Sequence, residues 1–329
     1  MLTNRGNISL SMAVWLASDD YDLKYDPKVI SVTDLLQPIR SLILTRRLKA
    51  KQVKGSQDIS ELIPSRLGSA VHTAVEVAWL DNREKAMLKL GIPQKQIDRV
   101  RLNPDIDSVD LDNPNYINIF IEQRSSMEIE GFTLSGKFDV VDQGTLEDVK
   151  TTKTYSWIKG TNNDRYRYQG SMYRMLNPKI ITNDHMNVQY LFTDWSPYQA
   201  QANPEYPQKR VMAKRLPLLS LADTEEFVRS KLMTIKRYQQ LPQEELPNCT
   251  PTELWQDPAK WAYYKDKTKL VRATKLFDTP AEAASRNAAD GAKGVIIKRD
   301  AEPTFCKYCD ARPICTQAEH FVAEGLLKL

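Results

Sequence analysis

Residues 126–151 read SMEIEGFTLSGKFDVVDQGTLEDVKT. The stretch contains three strand-like runs rich in apolar and β-branched residues. Glycine at positions 131 and 144 lies between the runs, each time after a polar residue. Such pairs are typical of tight hairpin turns, because glycine adopts backbone angles that other residues rarely reach. The stretch therefore predicts a three-stranded antiparallel meander.

The third run of the meander places an acid and a lysine on one face. Alternate side chains of a β-strand point to the same side, so Asp148 and Lys150 share a face and Glu147 is turned to the other. An isolated pair of this kind is often a salt bridge and nothing more. The second run, however, contributes Asp139 in the sequence GKFD. Because neighbouring strands are ~4.8 Å apart, Asp139 and Asp148 meet if the register is suitable.

Two neighbouring carboxylates would need a cation. Unpaired, they repel each other and do not both stay ionised. Their oxygens suit Mg²⁺ or Mn²⁺, and His72, on a helix that precedes the meander, could add a nitrogen ligand. Lys150 would then lie beside the metal, where it could stabilise charge on a phosphate or orient an attacking water. The sequence thus predicts a divalent-metal site suited to phosphodiester chemistry.

The elements around the meander predict an α/β core. Helices are predicted within 28–50 after a short extended entry, from Arg66 onwards after Pro64-Ser65, at 165–176, and at 220–240 with Ser220 as the N-cap; a strand is predicted at 188–196. The order is helix, three strands, helix, strand. Residues four apart share a helix face, as Gly68 and His72 do.

Four short motifs follow one another on the expected kinds of element: Gly68-x3-His72, Gly136-x2-Asp139, Asp148-x-Lys150 and Gln169-x3-Tyr173. Each motif alone occurs often by chance. Together, over about residues 60–196, they resemble the series found in the RecB-like branch of the PD-(D/E)XK nuclease superfamily. That branch includes phage exonucleases and CRISPR-associated RecB-like exonucleases. The resemblance implies a restriction-endonuclease-like core.

The resemblance also implies a role for six residues: His72, Asp139 and Asp148 as metal ligands, Lys150 as the catalytic lysine, and Gln169 and Tyr173 as residues that line the site and contact DNA. Taken singly, the same residues would be an ordinary core histidine, surface acids and packing residues. Glu147 is the competing acid. Strand alternation turns it away from Lys150 and towards solvent, so Asp148 is the preferred ligand.

The chain has four cysteines: Cys249, Cys306, Cys309 and Cys315. In an intracellular protein the C-x2-C-x5-C spacing is more typical of metal ligands than of disulfides. Four thiolates could bind zinc or a [4Fe–4S] cluster, and unligated thiols are the remaining alternative. The spacing is similar to the cluster-binding pattern of RecB-like nucleases such as the AddAB-type helicase–nucleases, which favours iron–sulfur. In much of that family the lone cysteine precedes the core, whereas Cys249 follows it. All four ligands would then hold the C-terminal region to itself.

The charge distribution permits an anionic partner. The chain has 329 residues, of which 41% are hydrophobic and 27% charged, with a net charge of +4. Residues 45–54 carry five basic side chains and no acid, and residues 265–275 carry five basic side chains and one acid. Either cluster alone is usually a solvated face. Beside a metal site they could guide a DNA backbone, and Trp157 or Tyr166 could stack on unpaired bases, with a core position as the alternative for Trp157.

Three regions are predicted: a helical N-terminal segment at 1–60, the nuclease core at 61–240, and a four-cysteine iron–sulfur region at 241–329 with a small strand–helix–strand insertion at 269–298. No apolar run approaches the ~18 residues that span a bilayer. The N-terminal patch MAVWLA is shorter than a usual signal segment. A cytoplasmic location is expected, in a host cytoplasm if the protein is phage-encoded.

The expected function is a Mg²⁺- or Mn²⁺-dependent DNA exonuclease acting on single-stranded or end-exposed DNA in replication, recombination or repair. One alternative is a non-catalytic DNA-end-binding subunit that serves a helicase or recombinase partner. The complete set of Asp139, Asp148 and Lys150 argues against it. Another alternative is a small-molecule metalloenzyme, against which the basic clusters argue.

Overall fold

The computed structural model describes residues 2–18, 25–51 and 57–328, and shows a mixed α/β protein with several sheets. The helices are α1 (Leu10–Ala17), α2 (Val32–Leu35), α3 (Ile39–Ala50), α4 (Ile63–Asp81), α5 (Arg83–Lys89), α6 (Gln94–Ile97), α7 (Thr154–Lys159), α8 (Asn163–Leu176), α9 (Pro197–Ala202), α10 (Leu221–Tyr238), α11 (Pro280–Ala289) and α12 (Thr316–Ala323). The strands are β1 (Leu2–Thr3), β2 (Val29–Ser31), β3 (Gln57–Asp58), β4 (Val100–Leu102), β5 (Ile117–Ile121), β6 (Arg124–Ile129), β7 (Phe132–Lys137), β8 (Val140–Asp142), β9 (Thr145–Thr152), β10 (His185–Phe192), β11 (Val211–Pro217), β12 (Lys260–Tyr264), β13 (Lys275–Phe277) and β14 (Val295–Arg299).

The chain divides into two compact units. The first contains residues 1–37 and 56–234, and the second contains residues 38–55 and 235–329. The predicted N-terminal segment 1–60 is therefore shared between the units, since α3 belongs to the second. In the described part of the chain, no helix has both the length and the apolar character that crossing a membrane requires.

The first unit is built on a six-stranded sheet in the order β11-β10-β9-β8-β5-β4. β9 and β10 run parallel, as do β4 and β5, and the other neighbours are antiparallel. A smaller sheet has the order β2-β7-β6. The predicted helices and the predicted strand after them are present as α4, α8, α10 and β10. The Ser220 hydroxyl accepts the backbone N–H of Asp223 at 3.0 Å, so the predicted cap of α10 is also present.

The meander differs from the prediction in one respect. The hairpins β6–β7 and β8–β9 are antiparallel, and Glu130, Gly131, Gln143 and Gly144 all have positive φ, as tight hairpin turns require. The run 132–142, however, is two strands that belong to different sheets. The chain leaves β7 at Phe138, which is fully buried, and enters β8 after Asp139. This interruption frees Asp139 from the strand ladder.

A close contact with α8 explains the glycine of the Gly136-x2-Asp139 motif. A Cβ atom at Gly136 would lie 2.8 Å from Tyr173 Cε1 and 2.9 Å from Val32 Cγ2. Neither a ring nor a branched side chain in a packed interior moves aside easily. By contrast, a Cβ at Gly68 would meet Thr151 Oγ1 at 3.5 Å, an ordinary contact. The two motif glycines therefore have different physical roles.

The second unit contains a three-stranded sheet in the order β13-β12-β14, against which α11 packs. The predicted strand–helix–strand insertion is present as β13, α11 and β14. The N-terminal helix α3 contributes Ile43 and Leu44 to a buried cluster with Leu246 and Ala311. Apolar burial thus holds a helix from the start of the chain to residues near its end.

We predict that Gly136→Ala lowers the free energy of unfolding by about 1–3 kcal/mol, since the added methyl overpacks a filled site. Gly68→Ala is the matched control. We expect it to be neutral or to stabilise the protein by up to ~1 kcal/mol, because alanine is the better helix former and the space is open. Urea denaturation followed by circular dichroism measures both. Equal stability of the two variants would contradict this account of Gly136.

Candidate active site and cysteine cavity

Four separate segments of the first unit bring the candidate side chains together. His72 lies on α4, Glu122 directly follows β5, Asp139 lies between β7 and β8, and Asp148 and Lys150 lie on β9. In the β8–β9 ladder Val140 pairs with Glu147, and continuing this register by one residue sets Asp139 opposite Asp148. Asp139 itself lies just before β8, so this position places the two acids near each other at the end of the ladder. Asp139 Oδ2 also accepts the backbone N–H of Val149 at 2.8 Å.

Three donors converge at this point. Ligand atoms of His72, Glu122 and Asp139 all lie within 4.8 Å of one another. His72 Nδ1 is 3.4 Å from Asp139 Oδ1 and 3.5 Å from Glu122 Oε1. The other oxygen of Glu122 is 2.5 Å from Lys137 Nζ. One imidazole nitrogen and two carboxylate oxygens form a set that could hold a divalent metal ion such as Mg²⁺ or Mn²⁺.

Asp148 and Lys150 form an ion pair beside this set. The distance from Lys150 Nζ to Asp148 Oδ2 is 2.7 Å, and the Asp148 side chain is only 2% exposed. The alternation of β9 thus places the acid and the lysine on one face, as the sequence predicts. Asp148, expected as a metal ligand, is not a member of the three-donor set, which contains Glu122 instead.

The charges of the site depend on one another. Hydrogen bonds to Asp139 and Glu122 raise the pKa of His72 to about 10. Burial acts to raise the pKa of Asp139, but the hydrogen bond from His72 and the charge of Lys150 outweigh it and lower that pKa. Burial raises the pKa of Asp148 to about 6; Lys150 opposes this shift and Asp139 adds to it. The acids therefore favour a cation at His72. A histidine that binds a metal ion must be neutral. If His72 is a ligand, the metal ion therefore supplies the positive charge that the two acids favour.

Gln169 and Tyr173 lie on α8, one turn apart, and contact each other. Gln169 Nε2 donates to the Tyr173 hydroxyl at 2.9 Å. The Tyr173 ring is buried, packed against Gly136. Burial, together with the charge of Asp148, raises the pKa of the Tyr173 hydroxyl, which therefore stays protonated. The predicted DNA contact of this pair stays a prediction.

Glu122 and Lys137 are the site residues that the sequence reasoning missed. Glu122 adopts a positive φ of 51° and its backbone N–H donates to the carbonyl of Asp139 at 2.8 Å. A non-glycine residue in this conformation is uncommon and is found more often at functional sites. The available sequence signal was an acid directly after the apolar strand INIFI. That signal is weak, because the residues that Glu122 contacts are remote from it in the sequence.

In the second unit all four cysteines line one small pocket that is partly open to solvent. Arg40 and Ser41 of α3 line it as well. Burial, with the other thiols nearby, raises the pKa of Cys249 to about 12 and that of Cys306 to about 11. Free thiols here would stay neutral, and a metal ion would be needed to stabilise thiolates. Four thiols lining one pocket are a donor set that could hold a metal–thiolate centre.

The basic clusters differ in what their side chains do. Arg47 donates to the carbonyls of Gln239 and Leu241, so part of the cluster at 45–54 serves the fold of the second unit. Lys54 lies outside the described residues. The cluster at 265–275 forms most of the β12–β13 connection, where its basic side chains are exposed. Of the two clusters, the one at 265–275 therefore forms the more exposed cationic surface.

The two aromatic residues suggested for base stacking are held by other rings. Trp157 is half-buried and packs edge-on against Tyr190 and Phe192, with centroids 5.4 and 6.0 Å apart. Tyr166 is buried and packs edge-on against Tyr190 at 6.3 Å. Tyr155 on α7, by comparison, is exposed. Trp157 and Tyr166 therefore contribute to the packing of the core.

Comparisons with known proteins leave the function open. No family model matches the chain, and no curated protein matches it. Among solved structures the chain is similar to one described as "Crystal structure of SSO0001", with 14% sequence identity and a TM-score of 0.38, over 64% of this chain and 78% of that one. A similarity of this size supports no conclusion about function.

We predict that Glu122→Gln weakens Mn²⁺ binding by roughly tenfold or more, since the amide keeps the shape of the side chain but removes a charged ligand. Glu147→Gln is the matched control, an acid on β9 that the strand alternation turns away from Lys150. Isothermal titration calorimetry measures the affinity, and circular dichroism checks the fold. If both variants bound Mn²⁺ as the wild type does, Glu122 would not be a ligand.

Proposed function

We propose that the chain is a divalent-metal-dependent deoxyribonuclease with a restriction-endonuclease-like core of the PD-(D/E)XK type. The observation that carries the proposal is the convergence of His72, Glu122 and Asp139 beside the ion pair of Lys150 with the buried Asp148. Metal-ligating donors next to a positioned lysine suit phosphodiester hydrolysis, in which negative charge develops on phosphate oxygens. The order of the four sequence motifs supports the same proposal.

Each residue of the candidate site would have a separate role. His72, Glu122 and Asp139 would hold the metal, and Asp148 would join them or hold Lys150. When bound, a Mg²⁺ or Mn²⁺ ion lowers the pKa of a water and neutralises phosphate charge. Burial acts to lower the pKa of Lys150, but Asp148 and Asp139 outweigh it and raise that pKa. Lys150 is therefore a fixed cation, suited to stabilising charge on the phosphate rather than to accepting a proton.

Positioning of this machinery would fall to neighbouring contacts. The backbone N–H of Val149 holds one oxygen of Asp139, which leaves the other oxygen facing His72. Lys137 holds one oxygen of Glu122 and leaves the other facing the same histidine. Each acid thus presents one free oxygen to a common point. Such fixed ligands lower the reorganisation that metal binding needs.

The substrate we propose is DNA with a free end, cleaved by an exonuclease that favours single strands. The exposed basic connection at 265–275 suits the phosphate backbone, whose contacts make binding salt-dependent. The exposed ring of Tyr155, at the start of α7 just after β9, is available for stacking on an unpaired base. A role in replication, recombination or repair, with or without a helicase or recombinase partner, accords with such a substrate.

For the second unit we propose a [4Fe–4S] cluster held by the four cysteines. Zinc in a thiolate site has bonds of ~2.3 Å, which brings its sulfur atoms to within about 4 Å of one another. In the described chain the cysteines form no three-donor set within 4.8 Å. They nevertheless line one pocket. Thiols arranged around a wider space accord better with a multinuclear cluster than with one zinc ion.

We predict that the purified protein degrades linear DNA with Mg²⁺ or Mn²⁺ and that EDTA stops the reaction. Asp139→Ala and Lys150→Ala should lower the rate by at least about a hundredfold, because each removes a group required in the transition state. Glu147→Ala is the control and should keep most of the activity. Gel analysis of single-end-labelled strands measures the rates.

Three outcomes of that experiment would change the proposal. Covalently closed single-stranded circles should resist cleavage, and equal rates on circles and linear strands would mean an endonuclease. DNA binding without any cleavage, with either metal, would favour the non-catalytic DNA-end-binding alternative over the nuclease. Activity that survives Asp139→Ala would overturn the site itself.

We predict that anaerobically purified protein is brown and contains roughly four iron atoms and four acid-labile sulfides per chain. Cys249→Ser and Cys306→Ser should each bleach the colour and lower the thermal stability, since a structural metal centre contributes folding free energy. Elemental analysis and visible absorption measure this. One zinc atom with no iron would overturn the cluster and leave the nuclease proposal standing.

A further inference from the structure

Two polar side chains of α3 reach the cysteine sulfurs in the second unit. Arg40 Nε donates to Cys315 Sγ at 3.4 Å. The Ser41 hydroxyl lies 3.2 Å from Cys309 Sγ. Sulfur is a large, weak acceptor, so both distances are ordinary for hydrogen bonds to it. The helix that follows the start of the chain thus contacts two of the four thiols directly.

The rest of the Arg40 guanidinium is fixed. Its Nη1 donates to the carbonyls of Gln243 and Leu246 at 3.3 and 3.1 Å, and its Nη2 donates to Thr316 Oγ1 at 2.7 Å. Arg40 is 3% exposed. A buried cation normally needs an anionic partner, because removing a charge from water is costly. Among the described residues, the hydrogen-bond partners of Arg40 are three neutral oxygens and one cysteine sulfur.

We propose that Arg40 is a positioning residue of the metal–thiolate centre: it balances the negative charge of the ligated cysteines and donates a hydrogen bond to the Cys315 sulfur. The inference rests on the proposed cysteine site. Four thiolates around a zinc ion or an iron–sulfur cluster carry an excess of negative charge. A thiolate at Cys315 would give the buried guanidinium the anionic partner that a neutral thiol does not.

Arg40 would therefore set two properties of the centre. Its charge favours the ligated, thiolate form, so it slows metal loss. Its hydrogen bond and charge stabilise the more negative, reduced state, so it raises the reduction potential of an iron–sulfur cluster. Ser41 would act in the same direction through Cys309, more weakly because its hydroxyl is uncharged.

The chain supplies a matched control for this role. Arg47 lies on the same helix, and its guanidinium also donates to main-chain carbonyls of the second unit, those of Gln239 and Leu241. No contact of Arg47 with a sulfur atom is recorded in the described chain. Loss of Arg47 therefore removes main-chain contacts of the same kind without removing a hydrogen bond to a cysteine. A difference between the two variants isolates the effect of Arg40 on the centre.

The experiment compares full-length wild type, Arg40→Gln, Arg40→Lys and Arg47→Gln, all purified anaerobically. Metal content is measured first, followed by the rate of metal loss to a chelator and, where iron is present, the reduction potential. We expect Arg40→Gln to lose metal severalfold faster than Arg47→Gln and to have a more negative potential. Arg40→Lys, which keeps the charge, should lose metal more slowly than Arg40→Gln.

The possible failures are distinguishable. Equal metal loss and equal potentials in Arg40→Gln and Arg47→Gln would mean that Arg40 is merely structural and would overturn the proposal. A wild type that contains zinc would overturn the iron–sulfur assignment, while the chelator rates would still test Arg40. A wild type with neither metal would overturn the cysteine site and the role of Arg40 together. The nuclease site in the first unit is unaffected by any of these results.

Discussion

The position of Asp139 is the constraint on which the candidate active site depends. The chain leaves one sheet and enters another at Phe138 and Asp139, so neither residue belongs to a strand. That break points one oxygen of Asp139 to the N–H of Val149 and the other to His72. A continuous strand would fix this side chain by the alternation of its neighbours instead. The crossing between sheets is what lets an acid from one hairpin, a histidine from α4 and an acid after β5 meet at one point.

Stability alone does not explain the pair of Lys150 with the buried Asp148. Removing two charges from water costs several kcal/mol for each ion, and an apolar pair of similar volume is often as stable or more stable. Asp148 also lies opposite a second acid, which raises its pKa further above the ordinary value. A fold under selection for stability alone has little reason to place a second acid, Asp139, beside the buried Asp148. The arrangement is understandable if a cation binds there and a fixed ammonium group is needed beside it.

The parts of the site that were predictable from the sequence are those governed by local periodicity. The two-residue repeat of a strand sets Asp148 and Lys150 on one face, and the four-residue spacing of a helix sets Gln169 beside Tyr173. Glu122 was not predictable in this way, because its role depends on contacts with residues 50 positions earlier and 17 positions later in the sequence. The split of the predicted strand at Asp139 has the same origin, since tertiary packing of Phe138 overrides the strand propensity of the whole run. The sequence also could not show that α3 belongs to the unit that contains the cysteines. The apolar face of α3 predicts that the helix is buried, but not which residues it packs against.

The two candidate centres use different chemistry to hold positive charge. Two carboxylates and an imidazole lie together in the first unit, a set of donors that suits a hard cation. Four thiols line one pocket in the second unit, and thiols suit a softer cation. Burial acts in the same direction on the carboxylates and on the thiols, because it disfavours any negative charge that has no positive partner. The cationic side chain beside the donors also differs between the two sites. Lys150, a compact ammonium group, pairs with Asp148 at the candidate metal site. Arg40 lies at the cysteines, where its planar guanidinium satisfies two carbonyls, a hydroxyl and a sulfur at once.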